Sequence, residues 1–307
     1  MQLIRGFGSR QGPAGGCVLT IGAYDGIHLG HQALLGQLAV QGARLGLPRV
    51  VCTFEPLPRE YLVPKDPPAR ITSLRERWGL LAALGIEYLW LLRFGEALRT
   101  LTGEQFVAQL ARELEPRVVV VGHDFRFGRH GQGTVALLTE AGARLGFEVQ
   151  VLAPVMLAGE RISSSAVRAA LARGDFAAAR RQLGRPWSMC GRVVPGQQLG
   201  ADLGFPTANV RLERRRAPVA GIFAVRVHLE GGAGLPGVAS LGTRPTVGGS
   251  EALLEAHVFG FSGELYGREI EVEFVAKLRE EEHFESLEAL AAQMRRDVAD
   301  ARRILKA

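Results

Sequence analysis

The sequence predicts an α/β fold in two parts: a Rossmann-like parallel sheet covered by helices, then a small antiparallel β-barrel with a C-terminal helix. Three observations predict it. Apolar strand-like runs alternate with helical segments from residue 17 to about 152, which is how a parallel sheet with helical crossovers is written. After Gly184-Arg-Pro-Trp187 the pattern changes to strand alternation. From Ser286 to Leu305 a single stripe of Leu287, Leu290, Met294, Val298, Ala301 and Leu305 recurs at helical spacing, which reads first as core packing. The change of pattern divides the chain into domains 1–185 and 186–307.

At 307 residues the chain is long for one domain and comfortable for two. No apolar run reaches the roughly eighteen residues of a membrane span, and Met1-Gln-Leu-Ile-Arg-Gly6 lacks a signal-peptide apolar region. A cytoplasmic protein without membrane contact is expected. Cys17, Cys52 and Cys190 are scattered and read as small buried hydrophobes, neither a disulfide frame nor a metal knuckle. The net charge of +6 would suit nucleic acid, but Arg-Arg pairs are balanced by runs such as Glu280-Glu-Glu282 and no aromatic-basic stacking motif is present. Phosphorylated small molecules are the expected anionic partners, nucleic acid is not, and homo-oligomerisation stays open.

The first strand, Cys17-Val-Leu-Thr-Ile21, runs into Gly22-Ala-Tyr-Asp-Gly-Ile-His-Leu-Gly-His31 and then into a helix marked by Leu34, Leu35, Leu38, Ala39 and Leu45. Such a turn binds anions: Gly22, Gly26 and Gly30 let a phosphate approach the backbone, and the helix start offers unpaired N–H groups and the positive end of its dipole. His28 and His31, three apart at the helix mouth beside Asp25, can both donate to phosphate oxygens. A solvated helix start would show the same pair, and zinc is the weaker option because no Cys, Asp or Glu cluster accompanies it.

Further strands are read at Arg49–Phe54, Ile86–Leu92, Arg117–Val121 and Phe147–Leu152, with capping boxes at Ser73/Glu76 and Thr102/Gln105 opening helices between them. Ligands in such sheets bind beyond the strands' carboxyl ends, where the remaining motifs fall. Thr53-Phe-Glu-Pro-Leu-Pro-Arg-Glu60 is held extended by Pro56 and Pro58 and reads as a substrate flap. In Gly122-His-Asp-Phe-Arg-Phe-Gly128, Asp124 suits a ribose or adenine and the phenylalanines a flat ring, unless they only plug the loop onto the core. Arg161-Ile-Ser-Ser-Ser-Ala-Val-Arg168 opens a helix that Ser163 alone would cap; three serines beside two arginines point to a polyphosphate.

In the second part, Met189–Val194, Ile222–Leu229, Leu235–Leu241, Leu253–Phe259 and Glu269–Ala276 read as barrel strands. Gly196, Gly200 and Gly204 form a loop before Phe205-Pro-Thr-Ala-Asn-Val210, where Thr207 and Asn209 share one side of an extended segment. A hydroxyl and an amide oxygen are hard ligands suited to Mg2+ on ATP phosphates, although alone the string would read as a hairpin.

The turn 22–31 is similar to the HxGH signature of nucleotidyltransferases that share a fold with class I aminoacyl-tRNA synthetases, and 161–168 resembles their KMSKS-like element. In order, GAYDGIHLGH, TFEPLPRE, GHDFRFG and RISSSAVR resemble the adenylyltransferase module of prokaryotic bifunctional riboflavin kinase/FAD synthetases. The strings GFPTAN, GVASLGTRPT, LEAHVF and GELYG resemble the riboflavin kinase module, and the likeness runs from 17 to 302. It implies a nucleotidyltransferase domain and a riboflavin kinase barrel, using ATP, Mg2+ and the flavins riboflavin, FMN and FAD. It also implies that His28 and His31 are catalytic, with Gly22, Asp25, Asp124, Arg161, Ser164 and Ser165 handling ATP. In the kinase it implies Gly200, Gly204, Thr207 and Asn209 for Mg-ATP and Glu255 as the catalytic carboxylate; Phe54, Phe125 and Arg244 would meet flavin. Without the resemblance, Glu255 reads as an outward residue between inward Leu254 and Ala256.

The chain departs from the family pattern at Leu57, where a histidine is common, at Pro195, Leu199 and Ala201, where His, Arg and Arg are common, and at Ser240, a common Asn. The glycine loop thus carries less positive charge, and an impaired kinase beside an intact adenylyltransferase is one alternative. Others are adenylyl transfer to another small phosphate ester, such as a pantetheine or nicotinamide phosphate, and an RNA-binding protein resting on charge alone.

Overall fold

The computed structural model describes residues 1–8, 12–196, 203–214, 216–229, 232–246 and 249–307, with backbone alone over 243–246 and 249–251. The chain forms two compact units, one of Met1–Pro68 with Arg77–Ile162, the other of Ala69–Glu76 with Ser163–Ala307.

The first unit is built from β1 (Gln2–Arg5), β2 (Cys17–Ile21), α1 (Leu29–Leu45), β3 (Arg49–Glu55), α2 (Pro58–Leu62), α3 (Leu74–Ala83), β4 (Tyr88–Arg93), α4 (Glu96–Arg99), α5 (Gly103–Leu114), β5 (Pro116–Gly122), α6 (Val135–Leu145), β6 (Glu148–Leu152), β7 (Met156–Leu157) and β8 (Glu160–Arg161), α3 entering it at Arg77. Six strands pair in parallel in the order β1-β4-β3-β2-β5-β6. The central strands are buried on both faces, so Cys17–Ile21 and Val118–Val121 carry no polar alternation. Both capping boxes close reciprocally: Ser73 with Glu76 at 2.7 and 3.2 Å, and Thr102 with Gln105 at 2.9 and 3.2 Å. Strand β1 was not expected; it has four residues at a sheet edge with only Ile4 buried, too little for a period to show. The strand order reverses at β2, which has β3 on one side and β5 on the other, so the topological switch point, where open sheets of this kind bind ligands, lies beyond the carboxyl ends of β2 and β5.

The second unit holds α7 (Ser164–Ala172), α8 (Phe176–Leu183), the strands β9 (Ser188–Val194), β10 (Ala208–Arg211), β11 (Gly221–Leu229), β12 (Leu235–Thr246), β13 (Gly249–Val258) and β14 (Glu269–Arg279), and a closing helix α9 (Leu287–Leu305). The strands form a closed antiparallel barrel in the order β10-β13-β12-β11-β14-β9, with β9 also paired to β10. Its core includes Phe223, Phe274 and Trp187 together with Val167, Leu171, Phe176 and Leu183 of α7 and α8. The packing division therefore precedes the change of sequence pattern at 185/186, because composition marks where helix ends whereas packing follows the apolar face of the two helices.

Segment 69–76 is tied to the barrel by polar contacts. Trp187 Nε1 donates to Ile71 O at 3.1 Å, and buried Glu76 accepts from Cys190 N and from the wholly buried Arg214 guanidinium. Helix α9, capped by Ser286, lays Val298, Ala301 and Leu305 against Ala224 and Phe259 on the barrel's outer wall. Leu287 remains 60% exposed, so the expected stripe is buried only toward its C-terminal end: periodicity gives a face, not the length of the surface it meets. Nearby, Arg279 grips buried Asp297 with Nε at 2.9 Å and Nη2 at 2.8 Å.

Candidate functional sites

At the carboxyl end of β2, Thr20 Oγ1 donates to Val120 O at 2.7 Å and receives the Tyr24 hydroxyl at 2.6 Å. Tyr24 (φ 51°) and Ile27 (φ 42°) are both left-handed without being glycine, which costs on the order of 1 kcal/mol or more each. The bond to Thr20, and one from Gln32 Nε2 to Ile27 O at 2.9 Å, hold the turn in that form.

His28 is the N-cap of α1, its Nδ1 accepting from the His31 backbone N–H at 3.3 Å. A neutral ring accepting at Nδ1 carries its proton on Nε2, so His28 presents an N–H donor on its other edge. The two rings stack with centroids 3.7 Å apart and 17° between planes, and Tyr24 lies 4.9 Å from His31. Burial, then the neighbouring His28, pushes the His31 pKa well below the ordinary imidazole value, so His31 is neutral near pH 7. An added Cβ would meet the Tyr24 ring at Gly22 and the His28 ring at Gly30, each at 3.1 Å. These two glycines thus make room for the chain's own rings. Asp25 is buried within the turn.

The segment carrying Arg161 passes this helix start, since the same Cβ on Gly30 would lie 3.8 Å from Ile162 O. Arg161 Nη2 pairs with Asp124 Oδ2 at 2.6 Å just beyond β5. Partial burial raises the Asp124 pKa, but the hydrogen bond and charge of Arg161 outweigh it and hold the carboxyl below its usual range. The Arg161–Asp124 pair thus belongs to a segment whose next residue, Ile162, approaches the helix start that carries His28 and His31. Ser163 caps α7 through Ala166 N at 3.2 Å, leaving half-buried Ser164 and exposed Ser165 in the first turn, within the second unit. Arg168 donates to Ala69 O at 2.7 Å within that unit.

Phe54, at the end of β3, meets Phe94 edge-on at 5.8 Å; Phe125, after β5, stacks on Phe127 at 5.3 Å. Phe127 plugs the core, whereas Phe125 is only half-buried. Leu57 is 5% exposed, its N–H held by Glu60, so the residue in the histidine's place points no polar group at a phosphate. Sequence reasoning missed Arg77. Its guanidinium is wholly buried among Ala23, Thr53 and Glu55, and nothing in a helix of weak amphipathic pattern marks it.

On the barrel, Asn209 of β10 pairs across to Glu255 of β13, which pairs on its other side with Ser240 of β12. Directly opposed residues share a face with Cβ atoms about 5 Å apart, so the three form one polar row. Ala208, Val210, Leu254, Ala256, Ala239 and Leu241 alternate with them into the core, which puts the row on the outer wall. Asn209 is nevertheless buried, and Gly196 lies so close to its amide that no Cβ would fit. Ser240 Oγ reaches Glu281 at 3.4 Å, and Gly204 is left-handed (φ 84°) ahead of half-buried Thr207. The Thr207 hydroxyl and the Asn209 amide oxygen are hard oxygen donors of the kind that would suit Mg2+ carried on phosphates. Gly200, Leu199 and Ala201 lie outside the described residues, as does the Arg244 side chain. Pro195 is exposed. Among the described residues no cluster of three or more His, Cys, Asp or Glu forms a resident metal site.

A histidine-capped, glycine-rich helix start at the switch point of a parallel sheet defines a nucleotide-phosphate-binding unit, joined in one chain to a barrel with an oxygen-rich site of its own. A family model described as FAD synthetase matches residues 11–166, and one described as riboflavin kinase matches 183–305. Proteins named bifunctional riboflavin kinase/FMN adenylyltransferase from Escherichia coli (strain K12) and Pseudomonas fluorescens are 45% and 44% identical over 304 residues, spanning 98% of this chain and 97% of each relative. A Streptococcus pneumoniae crystal structure described as a macrolide-efflux protein is 30% identical, with TM-score 0.82 over 97% of both chains. Among the described residues, no helix here is long and apolar enough to cross a membrane. The chain belongs to the bifunctional riboflavin kinase/FMN adenylyltransferase family.

Proposed function

We propose that the chain makes FAD from riboflavin in two ATP-dependent steps, with residues 186–307 carrying the phosphorylation and 1–185 the adenylyl transfer. The second step is assigned 1–185, although α7 and α8 pack with the barrel, because its motifs run through Ser165. The coexistence of two phosphate-handling sites of different chemistry, the capped His28/His31 turn and the Asn209–Glu255 row, carries this reading.

In the first step the 5′-hydroxyl of riboflavin attacks the γ-phosphorus of ATP; the new O–P bond forms, the bond to the β-phosphate oxygen breaks, and ADP leaves. Glu255 takes the hydroxyl proton, a role worth roughly 10² to 10⁴ in rate. Thr207 and Asn209 would hold Mg2+ on the ATP phosphates, where the metal neutralises their charge. In the second step a phosphate oxygen of FMN attacks the α-phosphorus of another ATP and pyrophosphate leaves. No protein nucleophile is needed. The Nε2–H of His28, neutral His31, Arg161 and the start of α1 present donors where charge develops, and one such donor is worth on the order of 10² in rate. Gly22, Asp25 and Asp124 shape that site, Ser164 and Ser165 contribute hydroxyls, and Phe54 and Phe125 offer faces to the flavin; Gly204, and with it Gly200 and Arg244, are assigned to the kinase. ATP, riboflavin and FMN are the partners, and a cytoplasmic location fits them.

The test is to incubate the pure protein with riboflavin, ATP and magnesium and separate riboflavin, FMN and FAD over time. FMN appearing and then converting to FAD supports both assignments. FAD formed only from supplied FMN favours the impaired-kinase reading, to which Pro195 and Ser240 point. No flavin product under either condition overturns the proposal. His28→Ala should abolish FAD formation while FMN accumulates; Asn209→Ala should abolish FMN formation while supplied FMN is still converted.

A further inference from the structure

We propose that Arg77 is a positioning residue for adenylyl transfer, its buried guanidinium locking the nucleotide turn to the loop that follows β3. The proposal rests on the assignment of adenylyl transfer to the first unit. Arg77 lies on α3 with its side chain wholly buried. A guanidinium in such a place is costly unless its hydrogen bonds are met, so its partners define its purpose. Nη1 donates to Ala23 O at 3.0 Å and to Thr53 Oγ1 at 3.2 Å, while Nη2 pairs with Glu55 Oε2 at 2.9 Å.

Ala23 is the last residue before left-handed Tyr24, so the direction of its carbonyl sets how the chain enters the turn that ends at His28. Glu55 is the last residue of β3 and leads into Pro56 and Leu57. Strands β2 and β3 are neighbours, and their carboxyl ends are already tied by neutral bonds, from Gly22 N–H to Cys52 O at 3.0 Å and from Thr53 Oγ1 to Ala23 O at 3.2 Å. The fork of Arg77 adds a charged, planar fixture across the same two ends. In-line attack on an α-phosphorus requires both reactants to be placed to a fraction of an ångström. A group that fixes the turn against the loop acts on that placement through them and meets neither substrate itself.

The experiment uses the full chain and measures, in one preparation, kcat and KM for FAD formation from FMN and ATP, FMN formation from riboflavin, and thermal unfolding. Arg77→Met keeps an apolar stem and removes the fork; it should lower kcat for FAD formation about a hundredfold, with riboflavin phosphorylation unchanged. Arg77→Lys keeps the charge but not the fork and should recover only part of that loss. Glu55→Gln removes the charge of the partner, whose side chain is 32% exposed, keeps an oxygen that can accept, and should lower FAD formation about tenfold with riboflavin phosphorylation unchanged. Parallel loss of both activities in Arg77→Met would make the residue a scaffold and overturn the proposal, as would unchanged FAD formation in Glu55→Gln. An unmutated chain that makes FMN but no FAD from supplied FMN would instead overturn the assignment of the unit, and the role of Arg77 with it.

Discussion

Replacing Gly30 by alanine separates the stability of the nucleotide turn from its chemistry. The added Cβ would stand 3.1 Å from Cε1 and Nδ1 of His28, so the imidazole must retreat by about 0.3 Å to reach ordinary contact. The ring is already at stacking distance from His31, and its cap from the His31 N–H, at 3.3 Å, is long. The movement should break the cap, a loss of about 1 kcal/mol. Alanine in place of glycine in a helix returns up to about 1 kcal/mol, so the net change in stability is near zero. The Nε2–H donor, however, moves with the ring, and a misplacement of this order should lower the rate about ten- to a hundredfold. FAD formation from FMN, FMN formation from riboflavin and the unfolding temperature are measured together. Gly30→Ala forming FAD at the unmutated rate would refute the placement of the His28 donor, and equal loss of both activities would refute the confinement of the damage to this turn.

Glu255→Gln should reduce riboflavin phosphorylation by about 10² or more while FAD formation from FMN is unchanged, as product separation from each substrate would read. Asp297→Ala leaves Arg279 without the carboxylate it grips and should destabilise the barrel by about 3 kcal/mol in urea unfolding, with Asp297→Asn costing less. His31 stays neutral when folded, whereas in the unfolded chain it takes a proton near pH 6.5; its contribution is complete above about pH 6.5 and is lost as pH falls below that. Stability measured between pH 7 and 5 should therefore decline, and His31→Asn should flatten the decline.

Local signals made much of this chain legible. A capping box spans four residues and the 22–31 turn ten, and five of the six barrel strands carry their own local pattern, so these were visible without knowing their neighbours, whereas β10 was read only as an extended segment. What could not be read is contact between distant residues. Asn209 and Glu255 were each singled out, but that they stand opposite one another is a matter of strand register, which no local period encodes. Arg77 looks like any charged residue on a helix until Ala23 and Glu55 fold around it. The glycines at 22 and 30 were recognisable as necessary, but the rings that require them became apparent only in three dimensions.

The segment Ala69–Glu76 belongs with the barrel yet is encoded inside the half of the chain that builds the parallel sheet. No single cut yields both units whole. A fragment starting at Ser188, where strand alternation begins, would keep Arg214 but lose Glu76, and keep Trp187's neighbour Phe274 but lose Trp187 and Phe176 themselves. The gene is thus less modular than its two activities: an early stretch of the coding sequence completes a body finished only at its end, and a nascent chain cannot complete the barrel's attachments in the order in which it is translated.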